Sequence, residues 1–249
     1  MMITLKNRSE LEAMRAACAI SAEALALGGE MVRPGVTTAQ IDKAINKFIK
    51  SQNATPSFLG YGGFPGSACI SVNDEVIHGI PGDRVVQEGD IVKIDVGACY
   101  GGFHGDNAAT FPAGKISQEA ISLLDATRES LRKGIGAAVS GNRIGDISWA
   151  VQSYVEQFGY GVVRSYVGHG VGRELHESPE VPNFGSPGRG PRLVAGMTIA
   201  IEPMINLKGH DVRVLPDGWT VLTASGSMSA HFEHTVLVTD DGPVILTRL

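Results

Sequence analysis

The sequence predicts an α+β fold built on an antiparallel sheet, and three observations carry that prediction. Two segments of helical periodicity precede segments of strand periodicity, and the same order recurs in the second half of the chain. The pair Gly101-Gly102 sits between two strand-like segments and would join them as a hairpin, which is antiparallel by construction. Runs of helices stand apart from runs of strands, the pattern of α+β rather than of alternating βαβ units. The two αα-then-ββ blocks define pseudo-symmetric halves, although no residue-level repeat accompanies them. Short connections leave no linker, so residues 1–249 read as a single domain.

Each element follows from a local pattern. Ser9-Glu-Leu-Glu12 reads as a capping box, and Leu11, Met14, Cys18, Ser21 and Leu25 share one helical face that should end at Gly28-Gly29. After Pro34-Gly35, Thr38 is the expected cap of a second helix, whose stripe is Ile41, Ile45, Phe48 and Ile49. The period then changes: Cys69-Ile-Ser-Val, Ile91-Val-Lys-Ile-Asp-Val and the segment around Asn107-Ala-Ala-Thr-Phe111 read as strands. In the second half Ser117 starts a helix running to about Gly134, with Ile121, Leu124, Leu131 and Ile135 near one face. Asp146 is the expected cap of a fourth helix, with Ala150, Val151, Tyr154, Val155 and Phe158 turned inward. Strands are expected around 162–165, 197–205, 219–222, 231–238 and 244–247.

Composition narrows the function. With 43% hydrophobic residues over 249 positions, the chain can bury roughly three quarters of its unfolded surface. The 26 acidic and 21 basic residues leave a formal net charge of −5, and no Lys/Arg run occurs, which excludes a basic nucleic-acid binder. Cys18, Cys69 and Cys99 make an odd count without a CxxC pair, which points to a reducing compartment rather than a disulfide framework. Neither a leader pattern nor a run of roughly 18 apolar residues is visible, so the expectation is a soluble cytoplasmic protein without membrane contact. Glycine is the outlier: 32 of 249 residues is about 13%, against a usual value of roughly 7%. These glycines cluster beside His and Asp.

Four acids occupy apolar strand segments. Asp95 lies between Ile94 and Val96, and the hairpin turn would bring Asp106 close to it. Glu202 lies in Thr198-Ile-Ala-Ile-Glu-Pro-Met-Ile205, and Glu233 in His231-Phe-Glu-His-Thr-Val-Leu-Val238. Buried carboxylates repel one another and are badly desolvated unless a cation neutralises them. One of them could instead serve a turn, Asp106 above all, since it follows a glycine-rich segment. Taken together, their four negative charges match two divalent ions, and oxygen ligands with imidazole suit Mn, Fe, Co or Zn without choosing among them. Of seven histidines, His169 and His176 fall in Gly168-His-Gly-Val-Gly-Arg-Glu-Leu-His-Glu-Ser-Pro179, which is not the HExxH spacing of single-zinc proteases. His78, in Val76-Ile-His-Gly-Ile-Pro81, could face the same cleft or be an ordinary core histidine.

Seven strings occur in order: Val76-Ile-His-Gly-Ile-Pro81, Lys93-Ile-Asp-Val-Gly97, His104-Gly-Asp-Asn-Ala-Ala-Thr110, Gly168-His-Gly-Val-Gly172, His176-Glu-Ser-Pro179, Ile201-Glu-Pro203 and Phe232-Glu-His-Thr235. In order and spacing they closely resemble the methionine aminopeptidases of the bacterial type I kind, in peptidase family M24. The long insertion typical of type II enzymes has no room on either side of Glu202. The resemblance implies a pita-bread fold, a single catalytic metallopeptidase domain and two divalent metal ions. Asp95 would ligate one metal, Asp106 and Glu233 would bridge both, and His169 and Glu202 would complete the second. Metal-activated water would attack the carbonyl of an N-terminal methionine when the second residue is small, with Glu202 as proton shuttle. His78 and His176 would hydrogen-bond the substrate and stabilise developing charge.

By the same resemblance, Phe58, Tyr61, Phe64, Cys69, Leu175 and Trp219 would form the methionine pocket, where aromatic faces suit a polarizable thioether. Phe58 stands where the family often has Cys, and Leu175 where it often has Phe, which puts the pocket's shape in question rather than the reaction. The implied partners are nascent polypeptide N-termini and, transiently, the ribosome, with no membrane, no nucleic-acid readout and a monomeric state. Two rival readings share the residues: a proline-specific aminopeptidase or prolidase with the same ligands, and a metal-free binding protein on the same fold. Because Met2 is bulky, Met1 is expected to be retained on this chain.

Overall fold

In a computed structural model that describes residues 3–248, helix α1 (Arg8–Met31) is capped by Asn7, two residues ahead of the expected Ser9. Asn7 Oδ1 accepts from Glu10 N (3.1 Å) and Glu10 Oε2 from Asn7 N (3.0 Å), while the Ser9 hydroxyl donates to Asn7 Oδ1 (2.8 Å) and so supports the cap without being it. The Met1-Met2 pair lies outside the described residues. Gly28-Gly29 does not stop α1. A Cβ on Gly28 would crowd Ile45 and Ile94, and one on Gly29 would strike the Phe111 ring, so these glycines let the helix lie close on its neighbours. In α2 (Thr38–Ser51) the cap is Thr37, paired reciprocally with Gln40. Thr38 instead exchanges hydrogen bonds with Gly82, and Ile41, Ile45 and Ile49 are buried.

The first half continues with β1 (Thr55–Pro56), β2 (Ala68–Val72), β3 (Glu75–Ile77), β4 (Ile91–Tyr100) and β5 (Phe103–Pro112). Gly101 (φ 59°) and Gly102 (φ 77°) turn β4 into β5 in two residues, the left-handed pair that a tight hairpin demands. A Cβ on Gly105 of β5 would run into the backbone of Ala17 and Cys18, so this position sets how closely α1 lies on the hairpin.

In the second half α3 (Gln118–Ala137) is capped by Ser117, as expected, but passes through Gly134 because that glycine faces Val151. Ile121 is exposed rather than inward, its place on the core face taken by Leu123 and Leu124. Helix α4 (Ile144–Val155) starts after Arg143. Asp146 acts from the third helical position, accepting from Arg143 N (2.7 Å), so it completes the cap without being the cap residue. Phe158 lies beyond α4 in a short turn and is exposed, stacked on Tyr160 and edge to face with Tyr154.

The remaining strands are β6 (Gly161–Val162), β7 (Gly168–Gly170), β8 (Glu177–Val181), β9 (Thr198–Ile201), β10 (Met204–Asn206), β11 (Val212–Val214), β12 (Val221–Thr223), β13 (Ser229–His231), β14 (Glu233–Leu237) and β15 (Val244–Ile245). Two long strands expected from the sequence are therefore each broken. The 197–205 segment breaks at Glu202-Pro203 and the 231–238 segment at Phe232, because each segment changes sheets there. β9 and β14 pair in the large sheet, whereas β10 and β13 pair in a smaller one.

The large sheet has nine strands in the order β1-β4-β5-β14-β9-β7-β8, with β2 added on β4 and β15 on β14, and every pairing is antiparallel. The halves meet at the β5/β14 ladder. Helices α1 and α2 cover the first half around Ile41, Ile45 and Ile94, while α3 and α4 cover the second around Leu123, Ile147 and Ile201. Among the described residues no helix is long and apolar enough to cross a membrane.

Candidate active site

The β4/β5 register puts Gly97 opposite Asp106 and Asp95 opposite Ala108, so the two aspartates share one face as diagonal neighbours. Across the next ladder, Ala108 pairs with Glu233 at the start of β14. Ala108 thus stands between Asp95 and Glu233, and its small side chain leaves the face to the carboxylates. Thr235 Oγ1 donates to Asp106 O (2.8 Å) and accepts from Asp106 N (3.2 Å), tying β14 to β5 beside the acid. His169 comes from β7 and Glu202 from the break after β9. His169 Nε2 lies 3.8 Å from Asp106 Oδ2 and 3.5 Å from Glu202 Oε1. One donor atom from each of Asp106, His169 and Glu233 falls within 4.8 Å of the others.

The ring orientation of His169 is fixed. Its Nδ1 sits 2.8 Å from the Gly170 carbonyl, which can only accept, so the neutral ring carries its lone pair on Nε2. Burial, then the field of His176, lowers the His169 pKa to about 3 in spite of the Gly170 contact. A neutral nitrogen lone pair therefore faces carboxylate oxygens, an arrangement that a cation turns from repulsive to attractive. Burial pushes Asp106 up to about 7. Asp95, Glu202 and Glu233 are held well above the usual carboxylate range, by burial first and by the charges of the other acids second. Asp95 Oδ1, Asp106 Oδ1 and Glu233 Oε1 are buried without a hydrogen-bond partner among the described residues. Orphaned oxygens, mutual repulsion and a free imidazole lone pair together fit a divalent metal.

A cavity of about 220 Å³ lies over these groups, lined by all thirteen residues that the sequence singled out. Phe58, Phe64, Cys69 and Leu175 form one buried apolar cluster with Trp219 packed against it, and the Phe64 and Trp219 rings meet edge to face at 5.2 Å. Tyr61 lines the cavity at its rim, 45% exposed, with its hydroxyl 2.7 Å from His176 Nδ1. His78 adopts φ 58°, a strained value for a residue with a Cβ. It is held there because Ile70 N donates to the next carbonyl, Gly79 O (2.9 Å), and a Cβ on Gly79 would strike the Ile70 backbone. The His78 ring is flanked by Tyr166 (5.6 Å) and Trp219 (6.3 Å), and burial brings its pKa to about 4. His176, its pKa lowered by burial and then by His104, stands 4.3 Å from the His169 ring.

Sequence reasoning gave His231 no role. It is 1% exposed, neither ring nitrogen has a hydrogen-bond partner among the described residues, and Nε2 is 3.8 Å from Glu202 Oε2. The alternation with Glu233 two residues on was its only signal, and the break at Phe232 obscured it. Tyr166, beside His78, left no signal at all.

Fold and site together define a hydrolase of the metallopeptidase class, and residues 12–240 match the sequence model of Metallopeptidase family M24. The chain belongs to that family, on its methionine aminopeptidase branch, and the family implies binding of a divalent metal. It is 55% identical to a methionine aminopeptidase of Clostridium acetobutylicum over 99% of both chains, and 50% identical to methionine aminopeptidase 1 of Bacillus subtilis over the whole of both. The crystal structure of methionine aminopeptidase from Thermotoga maritima superposes with a TM-score of 0.98 at 46% identity, covering all of both chains. A prolidase from Pyrococcus furiosus shares the fold at a TM-score of 0.80 and 24% identity, with 65% of its own length covered.

Proposed function

We propose that this protein hydrolyses the N-terminal methionine of nascent proteins and peptides whose second residue is small, using two divalent metal ions. The observation that carries the reading is one cavity with a carboxylate–imidazole floor at one end and a buried apolar cluster at the other. Asp95 would hold one metal, Asp106 and Glu233 both, and His169 with Glu202 the second. When bound, the metals supply Lewis-acid polarisation of a carbonyl and bring the pKa of a water toward neutrality.

The chain's own residues do the rest. Phe58, Phe64, Cys69, Leu175 and Trp219 receive the methionine side chain and exclude water from it. His78 and His176, neutral near pH 7, offer one N–H each to the peptide at the scissile bond. Glu202 holds at its carboxylate the proton that the departing amine takes up, with Oε1 toward His169 and Oε2 toward His231. The proline-specific reading loses ground, since the prolidase likeness is one of fold while the methionine aminopeptidases match end to end. The reading further takes the chain as one catalytic domain, monomeric and cytoplasmic, meeting its substrates at the ribosome.

The test is cleavage of Met-Ala, Met-Leu and Ala-Pro peptides by protein loaded with Mn, Fe, Co or Zn, with and without chelator. Chelator-sensitive cleavage of Met-Ala above Met-Leu is expected. Preference for Ala-Pro, or indifference to chelation, would overturn the proposal.

A further inference from the structure

We propose that Tyr61 is a positioning residue whose hydroxyl donates to His176 Nδ1, fixing the tautomer in which His176 Nε2–H is offered to the substrate. The inference deepens the functional reading above and rests on it. It starts from the loop between Phe58 and Phe64. Both phenylalanines are buried in the apolar cluster, while Tyr61 between them is 45% exposed. Four backbone hydrogen bonds close the loop on itself: Gly60 N to Phe64 O, Tyr61 N to Phe58 O, Gly63 N to Gly60 O and Phe64 N to Tyr61 O, all between 2.8 and 3.1 Å. Gly60, Gly62 and Gly63 take φ values of 84°, 56° and 90°, which residues bearing a Cβ rarely adopt. A loop pinned at both ends and turned by three left-handed glycines holds the phenol at one place over the cavity.

That place is His176. Tyr61 Oη lies 2.7 Å from His176 Nδ1, and the rings meet at 60° with centroids 5.1 Å apart. Nδ1 is thereby used, and Nε2 has no hydrogen-bond partner among the described residues. A neutral imidazole carries one proton, so the direction of the Tyr61 bond decides what Nε2 can do. A carbonyl oxygen, or negative charge developing on it, only accepts, so His176 assists it only when Nε2 carries the proton. Nδ1 is then the acceptor and the rotatable phenol O–H the donor. Lining the cavity needs no hydroxyl, so the Tyr61 Oη contact with His176 adds something that an apolar wall alone would not.

Two measurements test this. The first is nitrogen-15 NMR of histidine-labelled, metal-free protein, with His176 assigned by its loss in His176→Gln. An unprotonated Nδ1 and a protonated Nε2 are expected, with mixing of the two tautomers in Tyr61→Phe. The second is steady-state kinetics of the metal-loaded enzyme on a methionyl peptide. Loss of one hydrogen bond of ordinary strength predicts that Tyr61→Phe lowers kcat about three- to tenfold, with KM within about twofold. A protonated Nδ1 in the wild type, or wild-type kcat in Tyr61→Phe with loss only in Tyr61→Ala, would overturn the assignment. A wild type that fails to cleave methionyl peptides would remove the functional reading instead, and the tautomer would still be decided by NMR.

Discussion

His169 Nε2 lies 3.5 Å from Glu202 Oε1, while Nδ1 of the same ring is committed to the Gly170 carbonyl. With Glu202 ionised, lone pair faces lone pair, so the two groups complement a cation better than they complement each other. Side chains of the floor and of the rim should therefore separate in their effect on metal. Asp106→Asn is expected to abolish turnover and to lower metal content by well over the 10–100-fold in affinity that loss of a mere supporting contact costs, roughly. His176→Ala, which removes no donor of the Asp106–His169–Glu233 cluster, should slow turnover with metal retained. Metal analysis and kinetics on the same preparations check this, and equal metal loss in both variants would sink the division.

The same floor predicts how metal-free protein responds to pH. Asp106 is raised to about 7 when folded, and Asp95, Glu202 and Glu233 are raised with it. The folded state thus holds protons that the unfolded chain releases above pH ~4, and this contribution to stability is lost as pH rises toward and past 7. His169 and His231, lowered to about 3, and His78, lowered to about 4, act in the opposite sense. Their contribution is absent in acid and complete above pH ~6.5, the unfolded value. The two effects oppose each other between pH ~4 and ~6.5, and above that the loss from several carboxylates outweighs the opposite contribution of the single buried Lys93, which burial lowers to about 7. Tm of metal-free protein should fall between pH 6.5 and 8, and added divalent metal should raise Tm more at pH 8 than at pH 5.5. A flat metal-free profile and an equal metal increment at both pH values would contradict this.

Two glycines predict opposite signs. A Cβ on Gly105 would meet the backbone of Ala17 and Cys18, which cannot swing away. Gly105→Ala should cost about 1–3 kcal/mol, a Tm loss of roughly 2–12 °C for a chain of this size. Gly136 lies near the end of α3 with nothing within 4 Å of its Cβ position. Gly136→Ala should stabilise by about 0.5–1 kcal/mol. Thermal melts of the two variants are the check, and stabilisation by both would show that α1 does not press on the hairpin as described.

The carboxylates were the most legible part of the chain, since a charged residue flanked by Ile and Val has few physical uses. Boundaries were less so. Asn7 and Ser9, or Thr37 and Thr38, offer neighbouring side chains of similar capping power within two residues, and only the backbone decides between them. Gly28-Gly29 looks like a helix stop, because a glycine needed for close packing and a glycine that ends a helix are the same letter. The breaks at Glu202-Pro203 and Phe232 were hidden because buried strand sequence continues on both sides while the pairing partner changes. β7, with the sequence Gly-His-Gly, has almost no strand propensity of its own and exists through its ladders to β8 and β9. The exposure of Tyr61 depends on where its loop folds, which no local pattern encodes.

Phe58 and Leu175 are the two pocket residues that the sequence sets apart from the common family pattern. Both are buried in the cluster that closes the apolar end of the cavity, at 8% and 2% exposure. A larger side chain at one position needs a smaller one at the other if the space for a thioether is to stay the same. Leu175→Phe alone should overfill the cluster and raise KM for a methionyl peptide about tenfold, equivalent to ~1.4 kcal/mol. Phe58→Cys alone should leave a void and cost stability, roughly 3 kcal/mol if the cluster does not collapse into it. The double variant Phe58→Cys/Leu175→Phe should recover most of both losses, a coupling of about 0.5–3 kcal/mol between residues of one packed cluster. Steady-state KM and denaturant unfolding across the four proteins measure that coupling. Additive effects would mean that the two side chains do not share the volume of the pocket.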